Sequence, residues 1–146
     1  MKKFTVLTLL VCVFASCKKD ETAASSGGSS ATRSFTCTIN GTAFVADSAW
    51  YNNFNAGGTN IFAVKGSGAS QQYFEINLTG QTATTYAFPT HALTYLANSS
   101  AYIASVGSLS IGTYDMSNRK ISGTFTGVTA GAVTITGGTF TNLPYK

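Results

Sequence analysis

The chain carries few side chains able to do chemistry, and they are scattered. His91 is its only histidine, and beyond residue 33 the acids are Asp47, Glu75 and Asp115, with Cys37 the one cysteine. A Ser-His-Asp triad needs a base in hydrogen-bond reach of a serine and a carboxylate to orient that base. His91 would have to meet Asp47 or Asp115 through the fold, and no Gly-x-Ser-x-Gly turn is present to expose a serine. Glycoside hydrolysis needs two carboxyls about 5 to 9.5 Å apart, so two of Asp47, Glu75 and Asp115 would have to share a cleft. Three separate surface acids are the plainer expectation. Zinc takes three or four His, Cys or carboxylate ligands, and no such spacing occurs. Asp115 with Asn118 offers Ca²⁺ ligands, but an Asx-type turn accounts for both. Cys37 falls in line with Phe35 and Ile39, the place of a small core residue rather than a nucleophile. No catalytic residue, metal or cofactor is implied. The expectation is a non-catalytic ligand-binding or assembly module, with a small carbohydrate-active enzyme using Asp47, Glu75 or Asp115 as the alternative.

Binding chemistry is better supplied. Trp50 and seven tyrosines stand among neutral hydroxyl and amide side chains, a mixture that stacks on sugar rings or on a partner protein. The densest group is a stretch with loop composition, residues 47–58, holding Trp50, Tyr51 and Phe54 beside Asn52, Asn53 and Asn55. The aromatics there form either a lid tucked over one end of the domain or a platform for a glycan or an envelope protein. Exposed aromatic patches are uncommon on monomers, which favours the lid; the flanking amides, suited to sugar hydroxyls, favour the platform. Nucleic acid is not an expected partner: residues 34–146 carry Lys65, Arg119, Lys120 and Lys146 against three acids, a net of +1, with no basic stripe to neutralise phosphates.

The elements that must position these residues read as strands. Residues 34–39 alternate apolar and polar, Asn40-Gly41 supplies a type I′ turn, and 42–46 return. That turn sets Ile39 opposite Thr42, Cys37 opposite Phe44 and Phe35 opposite Ala46, with Phe35, Cys37, Ile39 and Phe44 facing the core. Residues 60–65 and 71–79 follow as strands, and in the second Phe74, Ile76 and Leu78 oppose Tyr73, Glu75 and Asn77. Strands are also expected at 84–88, 92–97, 100–106, 108–113, 120–126, 132–136 and 139–141, with turns at 115–118 and 129–131; residues 92–97 alternatively read as a helical turn. Eighteen threonines beyond residue 33 suit the solvent face of strands. The fold class is all-β, an antiparallel sandwich of about eight or nine short strands or, alternatively, a small up-and-down, lipocalin-like barrel.

The N-terminus reads as an address. Met1-Lys2-Lys3 and the apolar run to Ser16 have the layout of a secretory signal, too short for the roughly 20 residues of a spanning helix. Phe14-Ala15-Ser16-Cys17 resembles a lipobox, with Phe14 in place of the usual aliphatic residue. The resemblance implies a signal peptide over 1–16 and acylation of Cys17, whose buried methylenes would contribute about 0.8 kcal/mol each to membrane attachment. Residues 17–33, rich in Ala, Ser, Gly and Thr, bury nothing and read as a disordered tether; residues 34–146 form a single domain. Lys18-Lys19-Asp20-Glu21 resembles the acidic export tag of Bacteroidota lipoproteins, which implies an outer-membrane lipoprotein displayed at the cell surface, with a periplasm-facing anchor as the alternative.

Three stretches carry a wider resemblance: Phe35-Thr-Cys-Thr-Ile-Asn-Gly41, residues 114–125 from Tyr114-Asp115 to Thr124-Phe125, and residues 133–142 from Val133 to Asn142. With the lipobox they cover about half of the chain and are similar to a family of uncharacterised Bacteroidota lipoproteins. The resemblance implies an exported all-β domain and assigns no catalytic residue.

Overall fold

The computed structural model describes residues 32–54, 57–130 and 133–146. Cys17, the leader and the tether as far as residue 31 lie outside them, as do Asn55, residue 131 of the expected turn at 129–131 and residue 132 of the strand expected after it. Strands β1 (Ser34–Ile39) and β2 (Thr42–Val45) make the expected hairpin. Ile39 pairs with Thr42 and Cys37 with Phe44, and the Ala46 N–H donates to the Phe35 carbonyl at 3.0 Å. Asn40 (φ 48°) and Gly41 (φ 80°) supply the two positive angles that a type I′ turn requires.

The stretch expected as a loop is a strand. Strand β3 (Ser48–Phe54) pairs residue for residue with β4 (Gly58–Lys65). Asn52, Asn53 and the Gly57-Gly58 that follow have loop composition, but Ala49 and Tyr51 are buried while Trp50 and Asn52 alternate with them. Burial of that inner face and a continuous ladder outweigh weak β propensity. After a short 3₁₀ turn at Gly68–Ser70 come β5 (Gln72–Leu78), β6 (Thr85–Phe88) and β7 (Ala92–Ala97); residues 92–97 are strand, not helical turn. The segments at 100–106 and 108–113 run together as β8 (Ser100–Asp115), whose ladder shifts register on either side of Val106. The segments at 132–136 and 139–141 likewise join as β10 (Val133–Pro144), antiparallel to β9 (Lys120–Ala130).

The protein is therefore all-β, with ten antiparallel strands among the described residues. Their order in the sheet is β2-β1-β10-β9-β8-β7-β5-β4-β3, with β6 alongside β8. The sheet curls into a half-barrel, an arrangement compatible with either the sandwich or the barrel reading. Long β8 is the shared element, pairing with β7 through residues 100–103 and with β9 through residues 104–115. The curl brings β3, one end of the sheet, against the residues that follow β10, the third strand from the other end: the Lys146 N–H donates to the Tyr51 carbonyl at 2.9 Å, and Tyr51 bridges Tyr145 in parallel.

Phenylalanines fill the interior where the halves meet. Phe74 of β5 lies 5.4 Å from Phe35 and 5.1 Å from Phe44, centroid to centroid. Phe125 and Phe140 complete the group, and each faces a glycine across the β9–β10 ladder, Phe140 opposite Gly123 and Phe125 opposite Gly138. A methyl group on Gly123 would stand against the Ser110 carbonyl oxygen as well as the Phe140 ring. Backbone cannot swing aside as a side chain can, so Gly123→Ala is expected to lose about 1–3 kcal/mol by overpacking and to melt roughly 5–15 °C lower. The exposed Gly112 is the control: its nearest neighbour is the Ser122 carbonyl oxygen at 4.0 Å, and Gly112→Ala should change melting little when both are followed by calorimetry.

Candidate functional site

Because β3 is a strand, its period of two divides the predicted aromatic group. Tyr51 points inward and is buried, edge-on to Tyr114 and Tyr145. Asn53 is held at the same end, its Oδ1 accepting from the Tyr114 hydroxyl at 2.7 Å. Tyr114 stands 3.0 Å from Thr59 Oγ1, which donates to the Gly80 carbonyl at 2.8 Å. Trp50, Asn52 and Phe54 lie on the opposite, solvent face, where the Phe54 ring covers Gly58. Asn55 lies outside the described residues.

On that outer face the register of β3, β4, β5 and β7 assembles a surface from four strands. One row runs Trp50, Phe62, Glu75, Thr94 and on to Ile103 of β8. The next runs Asn52, Asn60, Asn77, and the row on the other side runs Val64, Tyr73, Leu96. Trp50 stacks on Phe62 with centroids 5.5 Å apart and planes 26° off parallel, and Phe62 meets Tyr73 at 6.0 Å. The aromatic run thus crosses three strands, about 10 Å at ordinary strand spacing, and all three rings are half-buried. Lys146 Nζ lies 4.4 Å from the centroid of the Trp50 ring.

The polar groups of this face are neutral amides with one acid. Asn60 Oδ1 is covered and has no hydrogen-bond partner among the described residues, an unmet acceptor that a turn of the amide about its soft χ2 would present. Burial, reinforced by the neighbouring Glu75 carboxylate, pushes the Tyr73 phenol up to about 12, so it remains a hydrogen-bond donor throughout the physiological range. Phe62, Tyr73, Asn60 and Asn77 were not among the expected site residues. The outward alternation of Tyr73, Glu75 and Asn77 is visible in the sequence, but nothing local places those residues next to Trp50.

The three acids of the enzymatic alternative occupy separate positions. Asp47 Oδ2 accepts from the Gly66 N–H at 2.7 Å. Glu75 is two strands away in the ladder and three residues further along, about 14 Å by ordinary sheet spacings. Asp115 ends β8, taking the Asn118 N–H at 2.9 Å and the Asn118 side-chain amide at 2.7 Å. Those bonds, the side-chain one foremost, hold its carboxyl below the usual range; this is the Asx-type turn expected for the pair. His91 Nδ1 accepts from the Thr79 N–H at 3.2 Å, and its ring stands edge-on to Tyr86. Burial, opposed only by the charge of Lys65, pushes the Cys37 thiol up to about 12, so at neutral pH it is a protonated core side chain with little nucleophilic thiolate. Among the described residues no three of His, Cys, Asp and Glu gather where they could hold a metal, and no helix is long and apolar enough to cross a membrane.

Fold and surface together define a class: an all-β domain whose curled antiparallel sheet carries an aromatic and amide-bearing outer face. Compared with protein-family models, curated proteins and solved structures, the chain matches none.

Proposed function

We propose that this chain is a lipid-anchored envelope module that binds glycan, without catalysis, on the outer face of β3, β4 and β5. The observation that carries the reading is the run of Trp50, Phe62 and Tyr73 on the solvent side of the sheet, where the core makes no use of it. The rings are half-buried, and a contiguous apolar run left in reach of solvent is the kind of feature an interaction surface presents. Its neighbours favour sugar as the occupant: Asn52, Asn60 and Asn77 form an amide row along one side, able to donate to and accept from hydroxyls beside a stacked ring. Lys146 over Trp50 is no obstacle, since an exposed cation–π contact is worth only about 0.5–1 kcal/mol. The test is calorimetric titration of the mature protein with neutral oligosaccharides: cellohexaose, xylohexaose, mannohexaose and laminarihexaose. Binding of at least one, lost on removal of Trp50, is expected; silence across all four would remove the glycan reading and leave a protein partner as the occupant.

The same proposal places the module on the outer membrane, facing the exterior, through acylated Cys17. The lipobox and the charged tract after Cys17 support it, and a linker of the Ala-, Ser-, Gly- and Thr-rich composition of residues 18–33 would give a typical reach of about 20 Å. Cys17→Ala protein is expected to leave the membrane fraction and to incorporate no labelled palmitate. Continued membrane attachment of that variant after normal processing would remove the anchor assignment.

A further inference from the structure

The opposite side of β3 borders a second feature, at the end of the half-barrel where the chain closes. A cavity of about 210 Å³ is lined by Tyr51, Asn53, Met116, Arg119 and Tyr145. Its one cation is unusually well placed. Arg119 lies in the β8–β9 turn with φ 53°, a left-handed conformation that L side chains adopt only at a cost. Its backbone carbonyl accepts the Tyr145 N–H at 3.1 Å, and its guanidinium carbon lies 4.1 Å from the centroid of the Tyr145 ring. No acid pairs with that guanidinium among the described residues: the adjacent Asp115 gives both oxygens to Asn118.

We propose that this cavity is a carboxylate site that takes the acid group of a single uronate residue. A guanidinium presents a planar fork of donors matched to the two oxygens of a carboxylate, and stacking of the exposed Arg119 on Tyr145 favours one orientation of that fork without locking it. One cation balances one negative charge, whereas a dianion such as sulfate would be left half neutralised. The volume falls below the roughly 300–1,000 Å³ of drug-sized pockets, which limits the occupant to about one ring. Tyr51 and Tyr145, edge to face at 5.4 Å, supply aromatic wall, Asn53 supplies an amide for hydroxyls, and Met116, 59 % exposed, is an adaptable rim. The sugar assignment rests on the glycan reading of the domain; the carboxylate assignment does not.

The experiment is calorimetric titration of the full chain in detergent with D-galacturonate, D-glucuronate, galactose, acetate and sulfate, repeated with Arg119→Gln and Arg119→Lys. At least one uronate should bind, at least tenfold more tightly than galactose, acetate or sulfate. Arg119→Gln should abolish that binding, and Arg119→Lys should weaken it about tenfold or more, because charge without the fork is not equivalent. Trp50→Ala should leave it unchanged, which separates this site from the outer face: uronate binding here survives even if every neutral oligosaccharide fails there. Absence of uronate binding, or uronate binding unaffected by Arg119→Gln, would overturn the site. Acetate binding as tight as uronate would overturn the sugar assignment, and sulfate binding as tight would overturn the carboxylate.

Discussion

Phe74→Ala is expected to lose about 3–5 kcal/mol of stability, the largest effect of any single truncation we anticipate in the core. The ring is fully buried and touches both halves of the curled sheet: Phe35 and Phe44 of the N-terminal hairpin, Tyr95 of β7 and Phe125 of β9. Its removal leaves a cavity bounded by rigid rings on several strands, which cannot collapse without moving the ladders that carry them. Small domains have about 5–15 kcal/mol in all, so this loss is a large share of the total and should lower the melting temperature by more than about 10 °C. Urea unfolding followed by circular dichroism checks this; a loss below about 1 kcal/mol would show that the two halves do not pack through Phe74.

Trp50→Ala is expected to do the reverse, with a large loss of binding and a small loss of stability. Truncating a central aromatic anchor removes about 2 kcal/mol or more of binding free energy, roughly a thirtyfold weaker dissociation constant. The stability change should stay near 1 kcal/mol, the scale of one aromatic pair, because the ring is half-buried on the outer face and contacts Phe62 and Lys146 rather than the core. Phe62→Ala should weaken binding similarly, and Tyr51→Ala should instead destabilise the domain, since Tyr51 is the member of that group the core encloses. Paired titration and thermal melting of the three variants distinguishes these outcomes. A Trp50→Ala domain that melts as poorly as a core variant would mean that Trp50 serves as a lid.

How much of this is legible in the sequence depends on how local each cause is. The hairpin of β1 and β2 is set by two turn residues, Asn40 and Gly41, and its register follows at once. The inner and outer faces of β5 follow from strict alternation. β3 was hidden because Asn52, Asn53 and the glycines after them carry loop composition, while the force that makes the segment a strand is its ladder to β4. The length of β8 was hidden for a similar reason: Gly107 reads as a break, yet the ladder continues through irregular register. The outer aromatic run depends on which strands are neighbours, so Phe62 and Tyr73 join Trp50 only through pairings that no alternation pattern specifies. The Arg119 cavity is less legible still, since it joins a turn, the middle of β3 and the residue after β10.

Trp50 is the only tryptophan of the chain, so tryptophan emission reports on the proposed glycan face alone. Titration of the mature protein with an oligosaccharide identified by calorimetry tests the central claim most directly. If a sugar ring packs on Trp50, the emission shifts to shorter wavelength, acrylamide quenching falls as the ring leaves water, and both changes saturate at the calorimetric dissociation constant. A ligand that binds while Trp50 emission and quenching stay unchanged would contradict the assignment of this face as the binding site.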